Sequence, residues 1–304
     1  MKVAGADGST DVSTVLAGLQ WVASNEERLH IRVLNLSFGT DSTQSAAIDP
    51  LDYAVEQLWA SGVLVVVSAG NGGPLPGTIQ KPGDDPFVLT VGAADPAGQT
   101  AAFSSRGPTV DGFAKPDLLA PGVSIVSTRA PGSTIDVARP DARVDTAYFK
   151  GSGTSQATAI TAGVAALVLE ANPALTPDVA KSVLAGSVHA GILDAAAAVE
   201  GALDPPLVAT PTVAPSTGLG SLEASRGSLH VAVDRTGSGV LTPVVGEVTV
   251  LGAPWDAKTW SAAFWASGVA DPIPWHAVSW TGWDAKTWSA KTWSAKTWST
   301  SDWN

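Results

Sequence analysis

From Val12 to Ala23 the apolar residues Val12, Val15, Leu16, Leu19, Val22 and Ala23 recur at helical spacing behind a Ser/Asp capping signal. One such stripe predicts an amphipathic helix. Ile31 to Leu36 reads as a strand, and Leu51, Ala54, Val55 and Leu58 form a second helical stripe after Asp49-Pro50. The run LVVVSAGN, from Leu64 to Asn71, is continuous in β-branched residues, which predicts a central parallel strand buried on both faces. Phe87 to Val91 and Val123 to Ser127 predict shorter strands, with Pro/Gly-rich loops over 74–86 and 107–121. Ser155 to about Glu170 is apolar nearly all round and predicts a helix through the core. Thr176-Pro177-Asp178 starts another, with Thr as cap and Pro in the first turn. This order predicts an α/β fold with a doubly wound, mostly parallel sheet, whose ligands gather outside the carboxyl ends of the strands. Asn35-Leu36-Ser37-Phe38-Gly39 and Ser68-Ala69-Gly70-Asn71 are two such ends.

The pattern changes at Asp204. Residues 1–203 are expected to form the main domain and 204–220 a proline-rich linker. Residues 221–252 alternate like a β-hairpin turning at Gly237-Ser238-Gly239. Residues 253–304 form an irregular tail holding ten of the twelve tryptophans, in units such as AKTWS. A period of five matches neither helix nor strand, so each unit is expected to bend. Such a tail either covers apolar surface of its own chain or stacks exposed rings on a cell surface or a polysaccharide.

At 304 residues and 45% apolar, the chain can bury a large core. A net charge of −11 argues against a nucleic-acid partner, which needs basic patches. The absence of cysteine excludes disulfides and thiolate-held zinc. No apolar run reaches the length of a membrane span, and MKVAGADGSTD lacks the apolar segment of a signal peptide.

KGSGTSQATAITAG places Ser155 behind a glycine-tight turn at the start of a long helix, where backbone N–H groups converge. Asn71, followed by Gly72-Gly73, offers a fixed side-chain N–H donor at the end of a central strand. Acyl transfer by a serine needs a nucleophile, a base, a group orienting that base, and donors aimed at the developing oxyanion. Ser155 and Asn71 answer to the first and the last.

The ordered motifs KVAGADGS, VLNLSFG, SAGN with its glycines, AFSSRGP, KPDLLAPGVSIVST and GTSQATAITAGVAALVL resemble the subtilisin family of serine endopeptidases from Lys2 to about Leu203. The resemblance implies Ser155 as nucleophile and Asn71 as oxyanion donor. It implies that Ser37, Phe38 and Gly39 pair with extended protein or peptide substrate and wall the pocket for the side chain before the scissile bond. Ser68, Ala69 and Gly70 would form the opposite wall, and pairing of this kind is β-augmentation. It also implies an extracellular or cell-surface protein, and no cofactor or metal is assigned.

Two departures stand against the family pattern. Gln156-Ala157-Thr158-Ala159 follow the nucleophile, where the family has Met, a small residue and Pro. The motifs carrying the family's Asp and His precede the segment matching KVAGADG. The chain is therefore expected to be the carboxyl-terminal portion of a catalytic domain, with an exposed sheet edge, little solubility and little activity alone. His30, His189, His230 and His276 are expected to be surface or packing residues, and Asp95, Asp117 and Asp145 loop or cap carboxylates. A Glu/Asp/Ser site of the sedolisin type would place an acid where Asn71 stands. The reading of another class is a non-catalytic protein that keeps the peptide groove and the aromatic tail.

Overall fold

The computed structural model describes residues 3–5, 8–208, 212–228 and 230–264. The tryptophan units beyond Phe264, and His276 with them, lie outside the described residues.

The predicted alternation is present. Helix α1 (Val12–Leu29) is capped by Asp11, whose carboxylate accepts from Ser13 N–H. It leads to β1 (Val33–Leu36), α2 (Pro50–Ala60), β2 (Leu64–Ser68) and β3 (Leu89–Ala94). β4 (Leu118–Pro121) completes a parallel sheet in the order β1-β2-β3-β4. The continuous apolar run was a sound signal: Val63 to Val67 are at most 1% exposed.

Three expectations need correction. The predicted loop over 107–121 contains β4, whose short Leu-Leu-Ala core between Pro116 and Pro121 finds its partner in β3. The strand expected at 123–127 is β5 (Ile125–Thr128), which leaves the parallel sheet. It pairs antiparallel with β6 (Tyr148–Gly151), across a loop that holds α3 (Thr134–Ala138). The long helix α4 (Thr154–Ala171) packs on all four strands of the parallel sheet. It is not buried all round: Ala159, Gly163, Ala166 and Leu167 form an exposed stripe.

Pro177 opens α5 (Pro177–Gly186) under a Thr176 cap, as its sequence predicts. The small hairpin β7 (Val188–His189) and β8 (Ile192–Leu193) and helix α6 (Ala195–Gly201) follow. The chain then returns across the body. Helix α7 (Leu222–Arg226) precedes the expected hairpin, reduced to β9 (Ala232–Val233) against β10 (Thr242–Pro243). Helix α8 (Ala257–Ala263) is the first tryptophan unit. Its Trp260 stands 5.7 Å from the Tyr53 ring on α2, and the Tyr53 hydroxyl donates to the Ser261 carbonyl. Among the described residues no helix is long and apolar enough to cross a membrane.

Candidate active site

Strands β1 and β2 run parallel and end side by side, so the segments that follow them, 37–39 and 69–71, leave the sheet at one end. Helix α4 starts at that same end. Gly153, just ahead of it, donates its N–H to the Gly122 carbonyl at the exit of β4. The result is a cleft of about 380 Å³, lined among others by Ser37, Phe38, Gly39, Ser68, Gly70, Asn71, Gln80, Thr154 and Ser155. Ala69 is fully buried behind the lining. Its N–H is held by the Val91 carbonyl and its own carbonyl by Gln80 N–H.

The orientation of Asn71 follows from its neighbours. Thr154 donates to Asn71 Oδ1 twice, from the backbone N–H at 3.0 Å and from Oγ1 at 3.1 Å. The carbonyl side of the amide is therefore taken, and the Nδ2 donors are left turned away from Thr154. A Cβ built on Gly153 would lie 3.6 Å from Asn71 Nδ2, which places that donor beside the turn that leads into Ser155. In the first turn of α4, Gln156 N–H donates to the Gly153 carbonyl while Thr154 N–H is taken by Asn71, and the helix dipole adds partial positive charge there.

Ser37 plays a part the motif alone does not reveal. Its hydroxyl donates to the Ser155 carbonyl at 3.0 Å and receives the Asn35 side-chain amide at 3.2 Å. The end of β1 is thereby pinned to the first turn of α4. Thr154 was likewise missed by sequence reasoning. Its sequence signal is a β-branched hydroxyl residue directly ahead of the serine, and the structure buries it fully.

The cleft floor is built from the stretch after Thr78. Gln80 N–H bonds to Ala69 O at 3.0 Å, and Thr40 and Lys81 exchange both backbone hydrogen bonds at 3.1 Å. Lys81 is fully buried, with Nζ 2.6 Å from both Asp52 Oδ2 and Asp84 Oδ2. Burial works against its ammonium, but the two carboxylates outweigh burial and hold it protonated. The neighbouring Asp84 is pushed up to about 6, chiefly by its own burial.

Among the described residues no histidine or carboxylate lines the cleft. His30 ends α1 in the left-handed conformation, its N–H on the Glu26 and Glu27 carbonyls. His189 lies in β7, and His230 Nε2 is 2.9 Å from Glu223. Asp95 receives the N–H groups of Ala97 and Gln99, Asp145 those of Ala147 and Tyr148, and Asp117 the Lys115 ammonium.

Comparison with known proteins places this arrangement. The family model described as Subtilase family matches residues 1–215. The serine protease AprX of Bacillus subtilis (strain 168) is 44% identical over 196 residues, covering 60% of this chain and 44% of that protein. Subtilisin Savinase of Lederbergia lenta is 38% identical over 173 residues, covering 57% of this chain and 53% of its own length. The chain thus spans about half the length of these curated relatives. Among solved structures, a protease from Pseudoalteromonas arctica superposes with a TM-score of 0.51 at 27% identity. That match covers 64% of this chain and 60% of the other. The parallel sheet, the serine at the start of α4 and the ordered motifs have one common origin: this chain belongs to the subtilase family.

Proposed function

We propose that this chain carries the nucleophile half of a serine endopeptidase that cleaves extended segments of proteins outside the cell. Ser155 Oγ attacks the scissile carbonyl carbon, and the carbonyl electron pair moves onto oxygen. The resulting oxyanion lies between the Ser155 N–H and Asn71 Nδ2. Residues 37–39 pair with the substrate backbone, and Ser68 and Gly70 face its side chain. The observation carrying this reading is the double hydrogen bond from Thr154 to Asn71 Oδ1, which aims Nδ2 without any further reorganisation. Loss of one such donor in a subtilisin costs about 10²–10³-fold in turnover.

The serine proton must still leave for a base and pass to the departing amine nitrogen. No described residue of the cleft can accept it. The described residues by themselves therefore turn over slowly, and a histidine with its orienting aspartate would complete the site. In subtilisin, loss of the histidine costs about 10⁶-fold. The same observation supports a second reading, a groove that binds peptides without cutting them.

A fluorophosphonate probe separates these readings. Slow labelling confined to Ser155 and abolished by Ser155→Ala is the expected result. Rapid labelling would overturn the missing-base reading. Peptide binding without any labelling of Ser155 would favour the binder.

A further inference from the structure

Two of the stretches that line the cleft are each followed by a residue that reaches for the same third segment. In the first stretch Gly8 and Thr10 line the cleft, and the next residue, Asp11, gives both carboxylate oxygens to Arg226, Oδ2 to Nε at 2.7 Å and Oδ1 to Nη2 at 3.3 Å. Close behind it, Ser13 Oγ accepts Val250 N–H at 2.9 Å. In the second stretch Gly39 lines the cleft, and the next residue, Thr40, donates its hydroxyl to the Ser225 carbonyl at 2.7 Å. Asp41 receives Ser228 N–H at 2.7 Å, and the Gly227 backbone lies so close that a Cβ on it would collide with Asp41 Oδ1. Phe38 packs on the cluster of Val231, Val233, Val244 and Val250.

Arg226 is the centre of that third segment. Its remaining N–H donors go to Glu223 Oε2 and to the carbonyls of Gly246 and Val248, so all five are taken. One guanidinium thereby joins α7, the stretch after β10 and the start of α1, a fan of bonds that a lysine ammonium cannot reproduce. Residues 222–250 lie beyond the 1–215 that the family model matches. The inner end of the cleft has ties of its own: Ser37 is pinned to the Ser155 carbonyl, and Asn71 to Thr154. The returning segment acts further out, on Asp11 and on Thr40.

We propose, on the reading of the cleft given above, that the returning segment is a brace that fixes the separation of the 8–11 and 39–41 stretches. It thereby shapes the seat for the part of a bound peptide remote from Ser155, and Arg226 is its positioning residue. An extended peptide long enough to pass Ser37 and reach Gly39 profits from the brace, because backbone pairing needs edges already held at hydrogen-bond distance. A short peptide that stays beside Ser155 gains nothing from it.

The test uses the full chain and N-acetylated peptides of alternating Ala and Ser, of two and of six residues. Their affinities are read by competition against a fluorescein-labelled copy of the longer one. Wild type should prefer the longer peptide. Arg226→Lys keeps a positive charge beside Asp11 but not the fan of donors, and should weaken the longer peptide about tenfold while the shorter one stays within about twofold. Thr40→Val, which removes one hydroxyl, should weaken the longer peptide about threefold, and Thr40→Ser, which restores the hydroxyl, should bind as wild type. The threonine variants guard against a folding defect in the arginine variant. Unchanged affinity for the longer peptide in both Arg226→Lys and Thr40→Val would overturn the brace and leave the groove standing. Equal losses on both peptides would overturn the positioning role and reduce Arg226 to structural support. A wild type that binds neither peptide, or binds both alike, would overturn the groove reading together with this one.

Discussion

The region from β1 to α4 and the returning segment from 212 to 264 are held together by different forces. In the first, contact is apolar and periodic: Leu51, Leu58, Val63 to Val67, Leu89, Val164 and Val168 interlock in one core. In the second, a small cluster of Val231, Val233, Val244 and Val250, packed against Phe38, supplies little burial of its own. That segment reaches the main core through Leu222 and Phe264 and is otherwise tied down by polar contacts. Arg226 Nε lies 2.7 Å from Asp11 Oδ2, Ser13 Oγ accepts Val250 N–H, Thr40 Oγ1 donates to Ser225 O, and Ser228 bonds to Asp41. Apolar burial is non-directional and tolerates repacking, whereas a buried charged pair fails as soon as one member is removed.

The sharpest way to break the contrast is Arg226→Ala. Asp11 and Arg226 are only 1% and 2% exposed in their side chains, so the variant strands a buried carboxylate at the start of α1. A loss of about 3–5 kcal/mol is expected. Urea unfolding should report it, and limited proteolysis should cut within 204–250 before the sheet region. Leu58→Ala, at a position 0% exposed, should cost about 2–5 kcal/mol through the cavity it leaves. Here both regions should become protease-sensitive together, because α2 supports each.

A smaller effect depends on pH and joins the two regions. Glu56 on α2 accepts the Ser216 N–H at 2.6 Å and is pushed up to about 9, first by burial and then by Asp85 beside it. The folded state therefore holds a proton that the unfolded chain, with an ordinary glutamate, has released. This contribution to stability is complete below the ordinary glutamate range and is lost as pH rises through about 9. Relative to Glu56→Gln, whose amide can serve both neighbours at every pH, wild type should lose stability as pH rises from 5 toward 9. Melting temperatures from pH 5 to 9 decide it, and parallel curves for the two proteins would refute the assignment. Smallest of all, Tyr53→Phe removes the hydrogen bond to Ser261 O but keeps the edge-on ring contacts with Trp260 and Phe264. A cost of about 0.5–1.5 kcal/mol is expected in the same unfolding assay.

The same contrast explains what could be read from the sequence. Helices α1, α2, α4 and α5 and strands β1 to β3 follow from apolar spacing and caps, because burial imposes a period on the chain. The places of Ser155 and Asn71, at a helix start and just past a strand end, follow from the turn glycines and the continuous β-branched run. β4 was not legible, since three apolar residues between prolines carry no period. The hydrogen bonds of Ser37 and Thr154 were hidden for another reason: each spans residues far apart in sequence, 118 positions between Ser37 and Ser155 and 83 between Thr154 and Asn71. Helices α7 and α8 are short, with stabilising partners on α1 and α2, so their local sequence alone does not specify them.

The tie between Asp11 and Arg226 also imposes an order on synthesis. A ribosome delivers α1 and the whole parallel sheet while the guanidinium that neutralises Asp11 is still 215 residues away. Until it emerges, the start of α1 carries a carboxylate with no cation to justify its burial, and that end of the nascent domain stays open to water. That partner of the first helix is supplied by a segment made after Ser155, so the start of α1 gains its cation only when the chain has grown well past the residues that line the cleft.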